Sequence, residues 1–496
     1  MTREDWHNRA ASLQIDGRGL IDGKRVASLS EETFASISPI DGRLLTDVAL
    51  MGAQDVDLAV ASARRTFEAG VWSGRAPAER KAVLRRLADL IRAHRDELAL
   101  LETLDMGKPI SDSTSIDVRA TSNCFDWYGE AIDKIYDEVA PTAANTLALV
   151  TKEPLGVVAA VVPWNFPMLM AAWKVAPALA MGNSVVLKPA EQSSLTALRL
   201  GELALEAGVP PGVFNVVTGL GPEVGRALGL HMDVDGLFFT GSTQVGKYFM
   251  EYAAQSNLKK IGLELGGKSP NIILKSYRDT AHAAQTSARS AFFNQGEMCT
   301  CPSRLIVERA VHDEVVEVLA KTAAEFVPGD PLDPATTMGA LVDHRHTERV
   351  LGFVDTARED GADLRLGGTR ERAETGGCYV APTIFDNVRN EMRVAQQEIF
   401  GPMLSVIPVD SVDEAINVAN DSCYGLASAV WTDDLSTAHH VSRGIRAGLV
   451  YVNCYDCDDM TVPFGGFKQS GIGRDKSLHA LDKYAELKTT WIALGR

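Results

Sequence analysis

Basic residues are in deficit in this chain. Lys and Arg number 49 against 65 Asp and Glu, a net charge of −16, which leaves no extended basic face for nucleic acid or an anionic lipid surface. Long apolar runs are also missing, since no segment reaches the roughly 18 apolar residues of a membrane span. The opening "MTREDWHNRAASLQIDGRGL" carries charges where a signal peptide needs an unbroken apolar stretch. Cysteine is scarce: seven residues, an odd number, suit a reducing compartment better than a disulfide-stapled scaffold. The expected location is the cytoplasm. No Pro- or Ser-rich linker, internal repeat or low-complexity segment divides the chain. What is present is ordinary for a globular protein, 46 % hydrophobic and 23 % charged over 496 residues, enough for two or three domains.

Residues 78 to 104, "AERKAVLRRLADLIRAHRDELALLETL", set Val83, Leu84, Leu87, Leu90, Ile91 and Leu98 near helical spacing, a long amphipathic helix or a helix pair. Beyond about residue 150 the pattern changes to the apolar runs "GVVAAVV", "NSVVLK", "GVFNVV", "DGLFF" and "KIGLEL", separated by helical stretches. Strands without polar alternation, each followed by a helix, imply a parallel sheet covered on both faces. A second series, "NIIL", "RLIVE", "LSVIPV" and "LVYVN", begins near residue 270. The expected fold class is α/β with two such lobes, and "AFFNQGEMCTCPSR" (291 to 304) falls beside their junction.

That stretch holds Cys299 and Cys301. Zinc needs a second ligand pair at suitable spacing, and the C-x-x-C of Cys454 and Cys457 has no such partner. A disulfide between Cys299 and Cys301 would force a strained ring. A nucleophile remains, and it requires a base and an oxyanion site elsewhere. Asn165, in "VVPWNFP" between Pro163 and Pro167, is a rigidly held amide suited to an oxyanion, or else a helix cap. Glu264, before two glycines in "GLELGGKSPNI", is a base candidate that the glycines could let swing.

Nucleotide signals are individually weak. "VVTGLGPEVG" offers Gly219, Gly221 and Gly225 at a spacing that departs from the dinucleotide fingerprint. Gly241 to Lys247 begins like a P-loop, but Tyr248 stands where a magnesium-binding hydroxyl belongs. A strand running into Gly241 and Ser242 and then a helix still makes an anion site, although an ordinary capped turn reads the same. Lys188 and Glu191 in "LKPAE" end a strand where ribose hydroxyls bind and a carboxylate disfavours a 2′-phosphate, or else they form a solvated pair.

Taken together, "PWNFP" (163 to 167), "LKPAE" (187 to 191), "FTGS" (239 to 242), "LELGGKSP" (263 to 270), "FFNQGEMC" (292 to 299), "EIFGP" (398 to 402) and "PFGGFKQSGIGRD" (463 to 475) resemble the successive signatures of the aldehyde dehydrogenase superfamily. The resemblance implies a Rossmann-like NAD-binding domain (1–134 and 154–266), an α/β catalytic domain (267–470) and a small β oligomerisation arm with tail (135–153 and 476–496). It implies Cys299 as nucleophile, Glu264 as general base, and the Asn165 amide with the Cys299 backbone N–H as oxyanion hole. It places Lys188 and Glu191 on the adenosine ribose, Ser242 and Gly246 at the pyrophosphate, and Glu398 and Phe400 at the nicotinamide ribose. Pro163, Trp164, Gly221, Gly225, Phe239, Gly241 and Leu265 complete the expected cofactor site, for NAD with NADP as an alternative. No metal site is expected. Cys301 has no corresponding duty beyond a thiol able to trap oxidised Cys299.

"ELALLETLDMGKPI" (97 to 110), "PLDPATTMG" (331 to 339) and the run from Asp459 to Leu494 further resemble bacterial ω-aminoaldehyde dehydrogenases, those acting on γ-glutamyl-γ-aminobutyraldehyde and 4-guanidinobutyraldehyde. Asp456, Asp458 and Asp459, with Phe464, then belong at the substrate entrance, where carboxylates favour a cationic tail unless they merely form a solvated loop. Arg119, Asn123 and Asp126 depart from the relatives on a helix expected to line the tunnel. A homodimer or homotetramer is implied, built by an arm near 139 to 152 lacking a clear hairpin turn and a tail offering Tyr484, Leu487, Trp491 and Leu494. A broad-specificity aldehyde dehydrogenase, a nucleotide hydrolase and a non-catalytic scaffold are the competing readings.

Overall fold

Five strands without polar alternation form the centre of the first sheet in the computed structural model, which describes residues 1–495. Their spatial order is Phe214–Val216, Ser184–Lys188, Val157–Val161, Gly236–Thr240 and Lys260–Glu264, all parallel. Gly19–Ile21 and Lys24–Val26 extend one edge and Gly471–Ile472 the other, each antiparallel. The continuous apolar runs follow from burial on both faces. Val158 and Ala160 pack under the helices Pro167–Ala180 and Leu195–Ala207, whereas Val157, Ala159 and Val161 pack under Ala53–Glu68.

The second sheet runs Asp363–Leu366, Thr383–Asp386, Met403–Val409, Arg304–Glu308, Pro270–Ile273, Ala429–Trp431 and Tyr451–Val452, parallel except for its first strand. It too has a core on each face, with Ile272 and Ile306 on one side and Ile273, Leu305 and Val307 on the other. The segment 78 to 104 is a helix pair, Pro77–Ala93 and Arg95–Met106, broken at His94.

The arm does contain a hairpin. Glu138–Ala140 returns against Thr146–Pro154, whose other edge pairs with Ala485–Ala493 over nine residues of the same chain. The missing turn signal misleads because the five-residue connection uses no Gly or Asn-Gly dipeptide. Tyr484 does not belong to the exposed tail: its ring lies 4.4 Å from that of Phe238, fully buried. Leu487 and Trp491 are 66 % and 67 % exposed on an edge strand, an apolar surface of the kind that marks association. Replacing both by Lys is expected to leave a folded protein of lower mass in sizing with light-scattering detection. Truncation after Asp482, which also removes Tyr484, is expected to give aggregate or inactive monomer. An unchanged mass for the double variant would show that this strand plays no part in assembly.

Candidate active site

The chain leaves strand Val157–Val161 for a helix on one face of the sheet, and leaves the adjacent Gly236–Thr240 for helix Thr243–Gln255 on the other. A crevice must open between two such carboxyl ends, and ligands bind there in open α/β sheets. Pro163, Trp164 and Asn165 line it from the first strand, Gly241 and Ser242 from the second, in a cleft of about 1010 Å³ shared with the second sheet. Cys299, Glu264, Leu265, Glu398, Phe400, Asp456, Asp458 and Phe464 also line it.

Cys299 reaches the cleft by a strained turn. Asn294 and Gln295 both have left-handed backbone, φ 47° and 56°, a conformation that costs a non-glycine residue free energy. Buried hydrogen bonds hold it. Asn294 Nδ2 donates to the carbonyls of Asn165 and Glu297 at 3.2 Å, and the Gly339 N–H donates to Gln295 Oε1 at 3.0 Å. The Val342 N–H donates to Glu297 Oε1 at 3.1 Å. Asn165 does not cap the following helix, whose N-cap is Phe166. Its Nδ2 donates instead to the Glu297 carbonyl at 2.8 Å, which ties this amide to the Cys299 turn and leaves its second N–H unclaimed by that bond. Burial pushes the Cys299 thiol well up, reinforced by the carboxylates of Glu398, Glu264 and Asp456. Cys301 packs in the apolar core of the second sheet, its thiol directed at the Ala291 carbonyl at 3.6 Å and pushed by burial up to about 12.

Glu264 is 4 % exposed, and neither carboxylate oxygen has a hydrogen-bond partner. Burial first, and Asp475 second, raise it well above the ordinary carboxylate range. A desolvated carboxylate of this kind is suited to accepting a proton near neutral pH. The glycines that follow are positions of close packing. A Cβ on Gly267 would lie 2.3 Å from the Cys299 carbonyl oxygen, and one on Gly266 would lie 2.1 Å from Glu398 Oε2. They permit the close approach of two functional segments. One group not legible beforehand is Asp475, fully buried between the ammonium groups of Lys174 and Lys483. Burial pushes it up, but the two lysines win and hold it below its usual range. Nothing in "GRDKS" signals this, because one lysine lies 301 positions away.

The cofactor side divides in two. Glu398 accepts the Gly267 N–H at 2.9 Å and is pushed by burial up to about 7. Phe400, at φ 58°, sits edge-on to Trp164 with centroids 5.2 Å apart. Trp164 in turn meets His346, whose Nε2 lies 2.7 Å from the Phe400 carbonyl, and burial lowers that imidazole to about 4. Lys188, Glu191, Gly221, Gly225, Phe239 and Gly246 do not line the cleft itself. Lys188 and Glu191 pair at 3.1 Å beside Gly221, with Gln192 joining them to the cleft. Phe239 is a core residue behind Gly241, and Gly246 admits the Leu265 side chain. Ser242 does cap its helix, accepting the Val245 N–H at 3.4 Å. The remaining N–H groups of this first turn lack intrahelical acceptors, and its residues Thr243 and Gln244 line the cleft. A Lys–Glu pair at a strand end, a helix start with free N–H groups and a buried carboxylate form a donor set that fits a dinucleotide. Lys247 and Tyr248 are exposed, away from the cleft, so no P-loop forms.

At the opposite mouth the three aspartates separate. Asp456 lines the cleft and is pushed up to about 7 by burial, with the Thr300 hydroxyl opposing. Asp458 is ion-paired with Lys476. Asp459 faces solvent and accepts the Thr461 N–H at 2.8 Å, an Asx turn outside the cleft. Trp173, in edge contact with Phe464 at 5.0 Å, Met170 and Tyr451 complete the wall. Arg119 and Asn123 are exposed, and Asp126 is bound to Arg85 and Arg92, so the expectation that these three bear on the tunnel is not met.

The chain matches the aldehyde dehydrogenase family over residues 26–490. It is 50 % identical over 489 residues to the NADP/NAD-dependent aldehyde dehydrogenase PuuC of Escherichia coli, covering 99 % of this chain and 98 % of that one. The structure of a γ-glutamyl-γ-aminobutyraldehyde dehydrogenase from Burkholderia cenocepacia superposes with a TM-score of 0.98 at 59 % identity over the full length of both chains. An indole-3-acetaldehyde dehydrogenase of P. syringae, in complex with NAD+ and IAA, gives 0.99 at 57 %, again over both full lengths. With Cys299, Glu264 and Asn165 gathered at one switch-point cleft, and this likeness running the length of the chain, the protein is a member of the aldehyde dehydrogenase family.

Proposed function

We propose that the protein oxidises an ω-amino, guanidino or γ-glutamylamino aldehyde to its carboxylic acid with NAD. The observation that carries this reading is the unpartnered Glu264 carboxylate sharing a cleft with Cys299 and Asn165. Cys299 Sγ attacks the aldehyde carbon, and the developing oxyanion takes hydrogen bonds from the free Asn165 N–H and the Cys299 backbone N–H. Bound NAD supplies the two-electron acceptor for conversion of the thiohemiacetal to a thioester. Lys188 and Glu191 would hold its adenosine ribose, the start of helix Thr243–Gln255 its pyrophosphate, and Glu398 with Phe400 the nicotinamide end. Glu264 then removes a proton from water, which attacks the thioester carbonyl and releases the acid and Cys299.

The substrate class is supported by the Burkholderia relative and by Asp456 at the mouth. The aromatic wall of Trp173, Phe464 and Tyr451, together with the P. syringae neighbour, favours a second reading in which neutral aryl aldehydes are taken as well.

Cys299→Ala is expected to abolish NAD reduction with every aldehyde, whereas Cys301→Ala keeps at least about a tenth of it; equal losses would reject one nucleophile and one bystander. Asn165→Ala should lower kcat about 100 to 1,000-fold. Glu191→Ala should relax an NAD over NADP preference about tenfold, the effect of removing ~1.4 kcal/mol of repulsion, and equal use of both cofactors by the unaltered enzyme would contradict the assignment. Asp456, raised to about 7, is neutral below that pH and charged above it. The KM of a cationic aldehyde should therefore fall as pH rises through 7, while that of a neutral aldehyde stays flat and Asp456→Asn removes the difference. A pH-independent ratio in the unaltered enzyme would exclude Asp456 as the recognition group.

A further inference from the structure

The C-x-x-C of Cys454 and Cys457 serves no step described above. Both cysteines lie on the loop that follows strand Tyr451–Val452, whose Asp456 and Asp458 line the cleft. Cys457 is exposed and Cys454 half-buried. The left-handed backbone of Asp456, φ 51°, folds the loop back on itself. Burial first, and the neighbouring Cys457 thiol second, raise the Cys454 thiol above its usual range, and Cys457 Sγ lies 3.9 Å from the Tyr455 carbonyl.

What they bracket matters more. Tyr455 is buried, and its hydroxyl donates to the carbonyl of Thr300 at 2.7 Å. Asp456 lines the cleft, as does Thr300. Thr300 is the residue after Cys299, so the two residues enclosed by the thiols are one that bonds to the residue after Cys299 and one that borders the same cleft.

We propose that Cys454 and Cys457 form an oxidisable dithiol which closes to a disulfide around Tyr455 and Asp456 and thereby lowers aldehyde turnover. The oxidant class is a peroxide. The exposed Cys457 thiolate attacks one oxygen of hydrogen peroxide, breaking the O–O bond and giving a sulfenic acid and hydroxide, which a proton converts to water. The Cys454 thiolate then attacks that sulfur, forming the S–S bond and expelling hydroxide, protonated to a second water. Two thiols lose two electrons and two protons, and one peroxide becomes two waters. Drawing the sulfurs to about 2.05 Å tightens the loop, and its contacts on Thr300 shift with it.

The kinetic consequence rests on the reading of Cys299 as nucleophile; the bond itself does not, so the two are tested apart. In full-length Cys299→Ala protein, hydrogen peroxide should lower the mass by 2 Da, with the loss confined to the peptide carrying Cys454 and Cys457 and reversed by dithiothreitol. Addition of oxygen atoms to one thiol without that loss would overturn the dithiol. In the enzyme with Cys299 intact, the same treatment should lower kcat/KM for aldehyde at least about fivefold more than in Cys454→Ser or Cys457→Ser, in the range expected for misplaced positioning groups. The serine variants report whatever Cys299 itself suffers. Formation of the disulfide with equal loss in all three proteins would overturn the link to the catalytic turn.

Discussion

The buried Asp475 carboxylate between Lys174 and Lys483 is the constraint on which the site depends. Lys174 belongs to the helix after Asn165, Asp475 to the segment after strand Gly471–Ile472, and Lys483 to the turn that leads into the last strand. Two distant parts of the chain are thus fastened beside Glu264, whose strand pairs with Gly471 and Ile472. A buried ion cluster is weak evidence of net stability, but removing one partner leaves an uncompensated charge at a cost of about 3 to 5 kcal/mol. The arrangement is therefore a strong specifier of position. It also charges the surroundings of Glu264, so that the base is tuned by burial and by Asp475 against three cations.

The same logic explains the turn that presents Cys299. Consecutive left-handed residues at Asn294 and Gln295 are unfavourable alone, and they persist because Asn165, Glu297, Gly339 and Val342 all bond to that turn. The amide expected to hold an oxyanion is also one of the ties that place Cys299. Substituting Asn165 therefore removes a donor and loosens the turn together, and the two effects do not separate in a single variant.

Much of the architecture was legible from pattern. Apolar runs such as "GVVAAVV" could be buried only on both faces, and the strands appear where those runs lie. Punctuation was less readable. The arm's hairpin lacks a Gly-containing turn, Tyr484 looks like tail but fills the core, and the glycines after Glu264 also let Cys299 and Glu398 approach closely. The three entrance aspartates are equivalent as letters, yet one is half-buried in the cleft, one paired and one in an Asx turn.

By itself the sequence determined the two-lobed α/β plan, because hydrophobic periodicity is a local property, and it offered candidates for the reactive groups through a family resemblance. The tertiary structure alone decided which groups meet and in what state of charge. The pairing of Lys174 with Asp475, the desolvation of Glu264 and the hold of Tyr455 on Thr300 each join residues more than 100 positions apart. Electrostatics depends on distance and burial, and neither quantity exists until the chain has folded.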